Sequence, residues 1–158
     1  MREGNITASG LFAGANKMLE AYHTVLLPIC RETDLPPMAV DILLFFANNP
    51  ENNTASGVCR FRGLKSGIVS VHIDRLVTEG LLTREVIPGD RRKMRLVPTG
   101  KAQSLIGRGR ELQKQFGQLL LDGIADEEVA VLRRCMGRMM QNMEKIRYGG
   151  FETGEERN

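Results

Sequence analysis

The chain is poor in the residues that hold metals and staple small folds. Its three cysteines, Cys30, Cys59 and Cys135, lie far apart and form no C-x-x-C pair, which argues against both a disulfide framework and a zinc site. Two histidines, His23 and His72, are too few for a histidine-rich metal cluster. No P-loop, nucleophile elbow or G-x-G-x-x-G stretch occurs, so the commonest signatures of nucleotide and acyl-transfer chemistry are missing. No enzyme activity, cofactor or metal is expected. No apolar run reaches the roughly 18 residues needed to span a bilayer. The first residues lack the basic start, apolar middle and small-residue cleavage site of a signal peptide. The expectation is a cytoplasmic protein with no membrane partner. There are no internal repeats.

What is present suits a folded domain. Hydrophobic residues make up 42% of the 158 and charged ones 26%, enough to build one core with helical extensions. The net charge of +3 hides an asymmetry. From Arg60 to Arg110 there are 12 Lys and Arg against 4 Asp and Glu, 12 − 4 = +8, and the remainder holds 10 basic and 15 acidic residues, 10 − 15 = −5. Positive charge gathered in one central block points to a polyanionic partner.

Periodicity orders the chain. Leu11, Ala15, Met18, Tyr22, Val25 and Ile29 recur at helical spacing and predict a helix over 8–30, capped by Thr7 or Ser9. Asp34-Leu35-Pro36-Pro37 breaks it. A second helix, 37–48, carries Val40, Leu43, Leu44 and Ala47 on one face, and 48–53 is a loop by composition. Two short helices follow. The first is 55–61, capped by Thr54, and the second is 66–79, with Val69, Ile73, Leu76 and Val77 inward and Gly80 at its end. Residues 81–87 and 93–97 read as strands joined by a Pro88-Gly89-Asp90 turn. A long helix is expected over 99–121, with Ala102, Leu105, Leu112, Phe116 and Leu119 inward. A last helix begins at the anions Asp126-Glu127-Glu128, which favour a helix start. It carries Val129, Leu132, Met136, Met139, Met140 and Met143 on one face. Residues 149–158 are expected to lack structure.

The fold class is therefore mainly α with a small β-hairpin wing. Two short helices followed by a hairpin form a winged helix–turn–helix, in which the second helix enters the major groove of DNA. That groove alone admits a helix and displays an unambiguous base code. The outward side of 66–79 presents Gly67, Ser70, Val71, Asp74, Arg75 and Thr78, small and polar near its start. Lys65 and Ser66 bring a cation and a hydroxyl to that start, where free N–H groups attract phosphate. The wing cations Arg91, Arg92 and Lys93 suit a flanking backbone or narrow minor groove. Asp90 is expected to close the turn or orient an arginine. The expected DNA-contacting set is Lys65, Ser66, Gly67, Ser70, Val71, Arg75, Arg91, Arg92 and Lys93.

The stretches TASGVCRFRGLKSGIVSVHIDRLVTEGLL and GDRRKMRLVPTGKA resemble the MarR family of bacterial transcription regulators, over about 8–148. The resemblance implies an obligate homodimer of triangular shape on a pseudo-palindromic operator in double-stranded DNA, with a ligand or oxidant that loosens binding. It implies a repressor. It also divides the chain into a dimerisation helix (1–35), a DNA-binding lobe (36–99), further dimerisation helices (100–148) and the tail. Two departures stand out. Val97 occupies the place of a usual helix-capping threonine, and the wing is about two residues short. Candidate effector or redox residues are His23 and Cys30, each with a plainer reading as a surface or interface histidine and a buried thiol. The methionines of the last helix read as core, dimer interface or ligand pocket. The alternative function is a protein–protein interaction module that offers its basic face to an acidic partner.

Overall fold

The computed structural model describes residues 7–148, apart from the side chain of Arg91. The 149–158 tail, expected to lack structure, lies outside the described residues. Helix α1, Ala8–Thr33, is capped by Thr7, whose hydroxyl accepts the Gly10 N–H at 3.1 Å. It continues three residues past the expected end. Pro28 removes one bond of its ladder without ending the helix, which stops where Asp34 turns left-handed at φ 55°.

Helix α2, Pro37–Asn48, begins on its proline, whose fixed φ suits a first turn. It was expected to bury one face. Instead Ala39 to Phe46 are all buried, because α2 is the central helix of the lobe and others pack around it. Helix α3, Ala55–Arg62, is capped by Thr54, whose hydroxyl accepts the Gly57 N–H at 3.1 Å. Gly63, at φ 64°, supplies the left-handed turn that a side chain would strain, and α4, Ser66–Thr78, follows. Val69, Ile73 and Leu76 of α4 are buried, as their spacing predicts.

Strands β1, Leu82–Ile87, and β2, Asp90–Pro98, pair antiparallel. Leu82 opposes Pro98, Arg84 opposes Leu96 and Val86 opposes Met94, but the next residue, Ile87, opposes Asp90. Residues 91–93 therefore have no partner across the ladder and form a bulge. The return strand starts at Asp90, not at Lys93 as composition suggested, and the cation run is the bulge itself. The wing is tied to the lobe by the Leu96 N–H, which donates to the Asn53 carbonyl at 2.8 Å.

After the wing a single tight turn, Gly100–Ala102, leads into α5, Gln103–Leu120. Thr99 precedes this turn without capping it through its side chain; its hydroxyl donates instead to the Gly80 carbonyl at 2.6 Å. Helix α6, Asp126–Arg147, opens on its three acids, and Glu128 accepts the Ala125 N–H at 3.1 Å. The chain forms two compact units, one ending at Gly117 and one beginning at Gln118. The first owns the core, in which Leu26, Ile29, Leu43, Leu44, Phe46, Val58, Leu82 and Ile106 are buried.

Three apolar expectations change. The α1 stripe divides: Ile29 is buried and Tyr22 and Val25 partly so, whereas Leu11 and Met18 are exposed. Leu119, expected inward, is 69% exposed. On α6, Leu132, Met136, Met139, Met140 and Met143 are all exposed, so within one chain they are not core.

Candidate nucleic-acid interface

The surface opposite the buried line of α4 is formed as its period requires. Lys65 precedes the helix in extended backbone and its carbonyl accepts the N–H groups of Ile68 and Val69 at 3.1 and 3.2 Å. Lys65, Ser66, Gly67, Ser70 and Val71 are all exposed. A side chain at Gly67 would meet nothing within 4 Å. His72, beside them and half-buried, is held below the usual histidine range by desolvation.

A cleft of about 520 Å³ runs between the start of α3, the flank of α4 and the wing. Thr54 and Ser56 line it from α3, Ser70 and Asp74 from α4, and Arg84, Arg92 and Lys93 from the wing. Asp90 organises the bulge. Its carboxylate accepts the Arg92 N–H at 3.1 Å and lies 3.8 Å from the Lys93 ammonium, matching the expected orienting role. Arg91 begins this bulge in β2, and its side chain lies outside what is described.

Arg84, absent from the sequence-derived set, bonds the Asp74 carboxylate on α4. Arg75 was expected on the DNA-facing side. Its guanidinium instead donates to the Asp34 carbonyl at 2.8 Å and lies 3.9 Å from Glu79, so it fastens α4 to the end of α1. Three of the four acids of the basic block, Asp74, Glu79 and Asp90, are thus paired with cations of that same block.

The architecture matches solved structures over most of its length. A MarR protein from Peptoclostridium difficile superposes with a TM-score of 0.75 at 17% identity, over 93% of this chain and 95% of that one. A MarR family transcriptional regulator from Listeria monocytogenes, complexed with 26mer DNA, gives 0.73 at 15% identity, over 90% and 97%. A MarR family regulator from a Rhodococcus species gives 0.65 at 22%, over 82% and 88%. At such identities the likeness is one of fold. Residues 33–93, the lobe from the end of α1 into the wing, match the MarR family model. Over that lobe the chain is similar to the MarR family. Its fold is that of MarR family transcriptional regulators, a helical body with a winged helix–turn–helix.

A second opening lies between α1, α2 and α5. It measures about 440 Å³ and has Met18, Leu19 and Phe116 as apolar wall and Tyr22, Asp41, Arg62 and Gln113 as polar floor. Asp41 is only 1% exposed, and both its oxygens accept from Arg62, at 3.0 and 3.1 Å. The Tyr22 hydroxyl accepts from Gln113 at 2.7 Å, Gln113 accepts from Asn48 at 3.0 Å, and Asn48 accepts from Arg110 at 2.9 Å. Burial, reinforced by the Asp41 carboxylate, pushes the Tyr22 phenol up to about 12. None of this network was singled out from sequence. His23, which was, does not line the opening; its Nε2 is sealed from solvent without a hydrogen-bond partner. Cys30 is buried, and desolvation raises its thiol above the usual range. On α6 a shallow dish is formed by Glu127, Glu128, Val131, Leu132 and Cys135, and none of the helix's methionines lines it. Among the described residues no group of three His, Cys, Asp or Glu could hold a metal, and no helix is long and apolar enough to cross a membrane.

Proposed function

We propose that this protein is a cytoplasmic, homodimeric transcription repressor that grips a pseudo-palindromic operator with α4 and the wing of each protomer. One observation carries the reading. Ser70 on the exposed face of α4 and the bulged wing cations Arg92 and Lys93 line the same cleft. A helix placed in the major groove then has cations at the height of the flanking phosphates. Lys65, Ser66, Gly67, Ser70 and Val71 face the groove, and Arg91, Arg92 and Lys93 reach the backbone or minor groove. Arg84 joins the phosphate contacts, oriented by Asp74. Arg75 becomes a positioning residue.

Dimerisation is supported by the open apolar faces. Phe12 and Met18 on α1 and Met136, Met140 and Met143 on α6 are all exposed, and a second copy covers them through segments 1–35 and 100–148. A small-molecule effector fits the opening floored by Tyr22 and Arg62. Arg62 is the last residue of α3, so an occupant that draws it from Asp41 disturbs the helix against which α4 packs.

Titrating duplex DNA with the protein at several salt concentrations tests the reading. Each neutralised phosphate contributes a slope of about −0.9 in log affinity against log salt. Replacing Arg92 and Lys93 together by Ala removes up to four contacts per dimer and flattens the slope by roughly 3 to 4. A folded dimer that ignores duplex DNA and binds an acidic protein would establish the interaction-module alternative instead.

A further inference from the structure

The line of α4 opposite its buried face carries one apolar side chain whose chemistry narrows what it can recognise. This step rests on α4 entering the major groove. At 3.6 residues per turn, the line opposite buried Val69, Ile73 and Leu76 runs through Gly67, Val71, Asp74 and Thr78. The members differ in what they can offer a base. Gly67 has no side chain, and the space where one would stand is empty. The Asp74 carboxylate is occupied by Arg84. Thr78 is the last residue of the helix, and the first turns of a recognition helix are the part that meets base edges. Val71 is left at the centre of the outer line, 66% exposed.

An isopropyl group neither donates nor accepts a hydrogen bond and gains nothing from a phosphate. The one major-groove feature that it complements is the C5-methyl group of thymine. Valine is short, so its methyl groups reach the groove floor only if the backbone descends close to it. Gly67, one turn earlier on the same line, leaves that approach clear. We propose that Val71 is a specificity-determining residue that reads a thymine methyl in each half-site, and that Gly67 is the positioning residue that lets it arrive.

Thymine and uracil differ by that methyl alone, so uracil substitution isolates the contact. Duplexes bound by the full-length protein are selected from a random pool, and each thymine of the selected operator is replaced in turn by uracil. At about 0.8 kcal/mol for one buried carbon group, loss of the methyl weakens binding about fourfold per half-site and roughly fifteenfold when both are changed. Val71→Ala binds the thymine and uracil operators equally, and Val71→Thr, which keeps one methyl, retains part of the difference. Gly67→Ala weakens binding to every duplex while the protein stays folded. If no sequence is selected from the pool, DNA reading by α4 and this inference fall together. If an operator is selected but no uracil change matters, Val71 does not read a methyl, although the groove assignment stands. The same holds if the uracil penalty persists in Val71→Ala or vanishes in Ile68→Ala instead.

Discussion

Replacing Arg62 by Met should be among the most destabilising single changes in the lobe, although Arg62 is itself partly exposed. Asp41 is 1% exposed and has both carboxylate oxygens on Arg62, at 3.0 and 3.1 Å. Met fills much of the arginine stem's volume, but it leaves a buried carboxylate without a counter-charge. Breaking a fully buried pair costs about 3–5 kcal/mol. The Arg62 side chain keeps 36% of its exposure, so water screens the pair and the lower end, about 3 kcal/mol, is expected. The guanidinium also lies 5.4 Å from the Phe45 ring centroid, an interaction of about 0.5–1 kcal/mol that Met partly replaces. The companion change Asp41→Leu should rescue. With no carboxylate left to satisfy, Asp41→Leu/Arg62→Met should be more stable than Arg62→Met alone by about 2 kcal/mol, since apolar replacement of a buried pair is often neutral. Urea unfolding of the three variants at one protomer concentration, followed by circular dichroism, measures the cycle. Additive losses, or an Arg62→Met midpoint equal to wild type, would refute the assignment of Asp41 as a buried charge held by one arginine.

Other outcomes follow from single features. Gly109→Ala places a carbon 2.5 Å from Leu44 Cδ2 and should lower stability by about 1–3 kcal/mol despite the better helix former. Gly107→Ala, with nothing within 4 Å, should raise it by up to about 1 kcal/mol, and equal urea midpoints would contradict the close approach of α5 to α2. In Tyr148→Phe, where Tyr22 is the remaining tyrosine, phenolate absorbance should rise with a midpoint near 12. The folded phenol holds its proton longer than the unfolded one, so stability should fall as pH climbs from about 10 to 12. A midpoint near 10 in the folded protein would mean that the phenol is not buried. Because burial disfavours the Cys30 thiolate, mild peroxide should leave DNA affinity unchanged. Peroxide-dependent loss of binding, reversed by thiol and abolished in Cys30→Ser, would make the protein an oxidant sensor.

The helices and the wing were legible from sequence because each carries a local signal. Thr7 and Thr54 cap helices, Gly63 turns, and Val69, Ile73 and Leu76 repeat at helical spacing. The centrality of α2 was not legible. Val40, Leu43 and Leu44 suggest one buried face, and only the packing of α1, α4 and β2 around it buries Ile42 and Phe46 as well. The exposed residues of α4 could be named from its period, but where Arg75 points could not. Glu79, one turn along the same helix, is one of its partners, but the Asp34 carbonyl that takes the shorter bond is 41 residues away. The Asp41–Arg62 pair and the chain of bonds from Tyr22 to Arg110 escaped for the same reason. Each joins residues distant in sequence, and a lone aspartate in an apolar helix gives no sign of its partner. Val97 and the short wing looked like losses. Val97 keeps its ladder partner Thr83, and the bulge at 91–93 gathers the cations of the short wing.

The bulge has a consequence for how such a protein can change over generations. Residues 91–93 have no opposite number on β1, while Arg84 and Leu96, deeper in the wing, stay in register. A residue gained, lost or exchanged at the tip can be absorbed where no ladder bond depends on it, without turning Leu96 out of the core. The part that reaches furthest from the lobe is thus the part that can be rewritten most freely. A descendant could acquire a longer arm or a different charge there, and so a taste for other flanking sequences, while inheriting an unaltered core.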